Sequence, residues 1–117
     1  MIRGDVAAAD RTALATLYCA LVSDLMLTRM GASRGDLVIE GTFAGNPAFC
    51  GVLGALRPQQ RVFAAEDAAG TARGAAMLAH WPPAYTIAAP TSVAPASIAG
   101  LDAYRDAWTA VVKLIVR

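Results

Sequence analysis

Charged side chains are scarce in this sequence. They make up 16% of its 117 residues, and 10 basic groups against 9 acidic ones leave a net charge of +1. Nothing in so thin and balanced a charge resembles the concentrated positive field that neutralises a phosphate backbone or an anionic lipid surface, so neither nucleic acid nor a membrane is an expected partner. Cysteine is rarer still. Cys19 and Cys50 lie far apart with no second thiol or histidine near either, which excludes the short spacings of zinc sites and redox motifs, and both read as small buried hydrophobes. No apolar run approaches the roughly 18 to 20 residues a bilayer span needs. The opening Met1-Ile2-Arg3-Gly4-Asp5 has no apolar core of a signal peptide, and with so few cysteines a reducing cytoplasmic location is expected.

What is abundant is apolar. Hydrophobic residues reach 56%, much of the excess being alanine, which suits close helix packing and excludes a disordered chain. The length is that of one domain, residues 1–117, and area scaling gives roughly 6,000 Å² of surface for a compact chain of this mass.

From Asp10, read as an N-cap, Leu14, Leu17, Tyr18, Leu21, Val22, Leu25 and Met26 recur at helical spacing, and Gly31 ends the helix. Leu37-Val38-Ile39 is too short for a helix and suits a strand buried on both faces. Asn46-Pro47 is a cap followed by a first-turn proline, opening a helix to about Leu56 whose apolar face is Phe49, Val52, Leu53 and Leu56 and which Arg57-Pro58 ends. Residues 61–64 form a second short strand. A helix rich in glycine and alanine is expected over 67–79, close-packed on the sheet through Gly74-Ala75-Ala76, and His80-Trp81-Pro82-Pro83 stops it. Residues 82–100 read as ordered surface coil, with only 85–88 as a weak strand. A last helix over 101–116 shares one face among Leu101, Tyr104, Trp108, Val111, Val112 and Ile115.

The order is a long helix followed by strand, glycine-bearing loop, helix, strand and small-residue helix, an α/β arrangement with short parallel strands and packed helices. The stretch Val38-Ile39-Glu40-Gly41-Thr42-Phe43-Ala44-Gly45-Asn46-Pro47-Ala48-Phe49, with Asp67-Ala68-Ala69-Gly70-Thr71-Ala72-Arg73-Gly74-Ala75-Ala76-Met77-Leu78-Ala79 downstream, resembles the C-terminal lobe of FGGY-family carbohydrate kinases. The resemblance spans about residues 10–81 and extends to the tail helix. It implies part of an actin-like ATPase lobe, related to ribonuclease H. It further implies an ATP-dependent sugar kinase in which this chain supplies the adenosine side. An N-terminal lobe of the parent protein would then supply the sugar pocket, the Mg²⁺-bound phosphates and the aspartate base, leaving this part inactive alone. Where that family carries a glycine triplet, this chain keeps Gly41 but has Thr42 and Phe43.

The resemblance makes Gly41, Thr42, Phe43, Ala44, Gly45, Asn46, Phe49, Gly70 and Thr71 the candidate nucleotide-binding residues. A glycine turn between a strand and a helix N-terminus offers free N–H groups to an adenosine or phosphate. The same glycines also read as a plain tight turn with a capped helix behind it. No catalytic residue is assigned within the chain. His80 reads as a helix C-terminal cap, Asp67 of the pair Glu66-Asp67 as an N-cap, and Arg57, Arg61 and Arg73 as a scattered basic surface. Two short strands leave edges and helix faces to cover, so the isolated chain is expected to be a homo-oligomer, and a non-enzymatic α/β homo-oligomerisation module is the alternative function.

Overall fold

The computed structural model describes residues 7–65, 70–82 and 88–115. Helix α1 is Ala8–Arg29, and strand β1, Leu37–Ile39, leads through a 3₁₀ turn over Gly41–Gly45 into helix α2, Pro47–Leu56. Strand β2, Val62–Ala64, is followed by helix α3, Gly70–Ala79, strand β3, Thr91–Val93, and helix α4, Leu101–Ile115. The strands form one sheet in the order β1-β2-β3. The first two pair in parallel, Leu37 with Val62 and Ile39 with Ala64, and β3 pairs antiparallel to β2, Val62 with Val93.

Helix α2 is the centre of the molecule. Phe49, Val52, Leu53 and Leu56 are all buried as their spacing requires, and so are Cys50, Gly51 and Gly54 between them. A helix buried on nearly every side must be covered on several. Helix α1 covers one side through Ala20 and Leu21, with Leu17 and Leu27 packed around them, while β2 and β3 cover another. Residues 94–96 lie against the glycines. A Cβ on Gly51 would meet that of Ala96 at 3.4 Å, one on Gly54 would meet the Pro95 backbone at 3.4 Å, and the Ala96 N–H donates to the Gly51 carbonyl at 2.8 Å. These glycines therefore admit the segment that delivers β3 to the sheet, and the stretch expected to be coil acquires a strand.

The ends of α1 show one expectation met and one corrected. Gly31, at φ +74°, closes a Schellman turn in which the Ala32 N–H reaches the Leu27 carbonyl at 2.9 Å and the Gly31 N–H reaches that of Thr28 at 3.1 Å. Asp10 is not the N-cap: it lies in the first turn, and Ala7 takes the cap position without a side-chain bond. An acid in the first turn still meets the positive end of the helix dipole. The apolar stripe is also wider than its cover, because Tyr18 and Met26 stay exposed, at 57% and 49%.

Three further expectations are corrected. Val38 is 52% exposed, since β1 is an edge strand covered on one face, not both. Helix α3 buries none of its residues, and Gly74 has open space where its Cβ would be, so this helix does not pack on the sheet. Arg57 is no surface base: it is buried, and its guanidinium pairs with Asp24. Residues 66–69 and 85–87, and with them the Asp67 cap and most of the weak strand, lie outside the described residues. Cys50 is buried as expected and Cys19 only half so.

On α4, Leu101 is buried and Trp108 half-buried against the edge of Tyr18, ring centroids 6.3 Å apart. Tyr104, Val111 and Ile115 on the same face are exposed, Ile115 at 75%. The chain exposes 8352 Å² in all, well above the roughly 6,000 Å² of a compact chain of its mass.

Candidate functional site

Parallel pairing of β1 and β2 puts the carboxyl ends of both strands on one edge of the sheet. In open α/β sheets this edge is where ligands bind. The loop Gly41–Gly45 leaves it from β1, and the N-terminus of α3 returns toward it from β2. The link is measurable: a Cβ on Gly70 would lie 3.4 Å from Oε2 of Glu40, the residue between β1 and the 3₁₀ turn. Candidates separated in sequence, Gly41–Gly45 with Asn46 on one side and Gly70 with Thr71 on the other, thus share one end of the sheet.

The loop is built to a fixed shape. Gly41 takes φ +70°, which turns the chain out of β1 into the 3₁₀ turn. Asn46 ends that turn and caps α2: its Oδ1 accepts the Phe49 N–H at 3.0 Å, and its own N–H donates to the Phe43 carbonyl at 3.1 Å. The same carbonyl accepts from the Cys50 thiol at 3.4 Å, with the Ala44 carbonyl at 4.0 Å from that sulfur. Burial pushes the Cys50 thiol up from its ordinary range, partly offset by a backbone hydrogen bond, so it serves here as a neutral donor. The Phe43 ring lies on that of Phe49, centroids 4.6 Å apart. Phe49 is buried beneath, Phe43 half-exposed above, and Thr42, Gly45 and Thr71 are exposed. Around Gly45 there is open space where a side chain would stand.

A family model described as the C-terminal domain of FGGY carbohydrate kinases matches residues 1–90. The chain belongs to this family. The FGGY domain also superposes on the crystal structure of a carbohydrate kinase from Novosphingobium aromaticivorans with a TM-score of 0.75 and 32% identity. That match takes in 95% of this chain and 24% of the other, so the FGGY domain spans about a quarter of the length of that kinase. Among curated proteins no match is found. The α/β architecture with its parallel pair is therefore that of a carbohydrate kinase lobe, as the actin-like ATPase resemblance requires.

Cys50, in the first turn of α2, reads from the sequence as a buried hydrophobe, and its donation to the loop carbonyl is what sequence reasoning missed. Its signal was available: one turn into a capped helix, a small side chain faces back toward the loop that precedes it. His80 behaves as expected, its Nδ1 lying 3.2 Å from the Ala76 carbonyl at the end of α3. Among the described residues no three His, Cys, Asp or Glu side chains come together as a metal-ligand set. No described helix is long and apolar enough to cross a membrane.

A cavity of about 670 Å³ opens between α1, α2 and α4, lined by Leu17, Val52, Ile98, Leu101 and Tyr104 among others. It touches the candidate site only at Asn46 and is almost wholly apolar. The strand-end loop differs from this groove in leaving backbone bare, with open space at Gly41 and Gly45.

Proposed function

We propose that this FGGY domain is the adenosine-binding part of an ATP-dependent carbohydrate kinase. The observation that carries the reading is the meeting of the Gly41–Gly45 loop, capped by Asn46, with the Gly70 end of α3 at the carboxyl edge of the parallel strands. Gly41 and Gly45 leave backbone bare for close approach, Phe43 offers a ring, and Phe49 and Cys50 hold the loop from below. Gly70 and Thr71 line the opposite side.

ATP supplies the γ-phosphoryl group that passes to a sugar hydroxyl. In such transfers positioning and charge stabilisation do most of the work, so a domain that holds only the nucleoside end positions one reactant and contributes no base. The metal, the aspartate base and the sugar pocket belong to an N-terminal lobe of the same parent protein. Residues 1–117 then act as one unit, its core at 10–81, joined by 82–100 to the tail helix. The exposed apolar side chains, Trp81 at 72% and Leu114 at 71% among them, are the surface that a second lobe covers.

The test is ATP-dependent phosphorylation of a panel of sugars by the whole gene product that carries these residues, read as ADP release. One sugar should be turned over well above the rest, and the 117-residue chain alone should release no ADP with any of them. A whole gene product that phosphorylates no sugar would contradict the reading.

A further inference from the structure

We infer that Phe43 is the base-stacking residue of this site and that it makes the site take purine nucleotides with little regard to which purine. The inference rests on the proposed adenosine-binding reading and goes beyond it to the class of base accepted. Phe43 is 45% exposed, a large apolar ring left partly in water at the ligand-facing end of the sheet. It is nonetheless held in place. Its ring lies on that of Phe49, tilted by 44°, and Phe49 is itself only 5% exposed. Its carbonyl is fixed by the Asn46 N–H and the Cys50 thiol. A ring already fixed in one orientation loses little freedom when a flat ligand settles on it, so most of the stacking energy appears as affinity.

The side chains of the loop itself have little with which to tell one base from another, although the Glu40 carboxylate and the Thr71 hydroxyl stand beside it. Gly41, Ala44 and Gly45 have no polar side chain, and the Asn46 oxygen is committed to the Phe49 N–H. Thr42 is the one hydroxyl in the turn. Stacking on an aromatic ring tolerates any base because each has a π-face, and the larger purine overlaps the ring more than a pyrimidine does.

Calorimetric titration of the whole gene product with ATP, GTP and CTP tests this. ATP and GTP should bind within about tenfold of each other, and CTP more weakly. Phe43→Ala should weaken ATP and GTP alike by roughly 5- to 100-fold, Phe43→Trp should retain binding, and Phe43→Leu, with apolar bulk but no ring face, should resemble Phe43→Ala. The melting temperature should stay within a few degrees in all three. Unchanged ATP affinity in Phe43→Ala, alongside its loss in Gly45→Val, would overturn the stacking role and leave the nucleotide reading standing. Unchanged affinity in both variants, or no ATP binding by the wild type, would overturn both. A fall in melting temperature with affinity intact would assign the ring to packing and overturn the inference, as would preference for ATP over GTP by more than about 100-fold.

Discussion

Arg57 Nη1 lies 2.8 Å from Asp24 Oδ1 across the contact of α2 with α1, the two side chains 3% and 13% exposed. The same guanidinium reaches the Thr28 hydroxyl, the Ala32 carbonyl and the Gln60 side chain, and Gln60 donates in turn to the Gly35 carbonyl. One cation thus ties the end of α2 to the Schellman turn of α1 and to the approach of β1. Removing a single partner strands a buried charge. Arg57→Met should destabilise the fold by about 3 to 5 kcal/mol in urea denaturation, and the added change Asp24→Leu should recover much of that loss. A cost for Arg57→Met below about 1 kcal/mol would show the pair to be solvated.

The burial of α1 is confined to the part of its stripe that α2 covers. Leu21 is 1% exposed and Tyr18 57%. Leu21→Ala should cost roughly 2 to 5 kcal/mol as a core truncation. Tyr18→Ala should cost well under half as much, losing little beyond its edge contact with Trp108. Equal losses in denaturation would mean that the exposed side of α1 is covered in solution.

Cys50 supplies a pH dependence with a definite sign. The buried thiol keeps its proton where the unfolded chain gives it up, so it contributes no pH dependence well below its ordinary value of 9.0. As the pH rises above that value stability falls, by up to about 1.4 kcal/mol per pH unit, until the folded thiol ionises as well. Denaturation of wild type and Cys50→Ala between pH 8 and pH 10.5 should show a steeper decline in the wild type. Parallel curves would mean that the thiol titrates equally in both states.

The exposed apolar faces of α3 and α4 need cover that the described residues do not provide. The isolated chain should therefore self-associate at micromolar concentration, as measured by light scattering, and bind an apolar dye. A dye-negative monomer would show that these faces are tolerated in water.

The elements legible in the sequence are those whose signals are local. The Asn46-Pro47 cap, the Gly31 stop and the four apolar positions of α2 each follow from a few neighbouring residues, and each is where it was expected. The misplaced elements depend on remote partners. Thr91–Val93 has no strand pattern of its own and becomes β3 because Gly51 and Gly54 let residues 94–96 lie flat on α2. Arg57 reads as a surface base until Asp24, far back in the chain, is brought beside it. Val38 and α3 were assigned two covered faces and a sheet to pack on because apolar and small residues signal burial without naming what buries them. In the site, the loop and its cap were legible from spacing. That Gly70 meets Glu40 was not, because it depends on the parallel register of β1 and β2.

If the Gly41–Gly45 loop holds the nucleoside, as proposed, its two glycines differ as probes of that contact. Gly41 stands at φ +70°, where any β-branched residue is strained, so Gly41→Val lowers stability whether or not a ligand binds there. Gly45 has no such φ and open space around it, so Gly45→Val should leave the melting temperature nearly unchanged while filling the place of the adenosine. The measurement is calorimetric ATP titration of the whole gene product and its Gly45→Val variant. A loss of at least tenfold in ATP affinity is expected in a variant that melts like the wild type; equal ATP affinity in the two proteins would remove the loop from the nucleotide site.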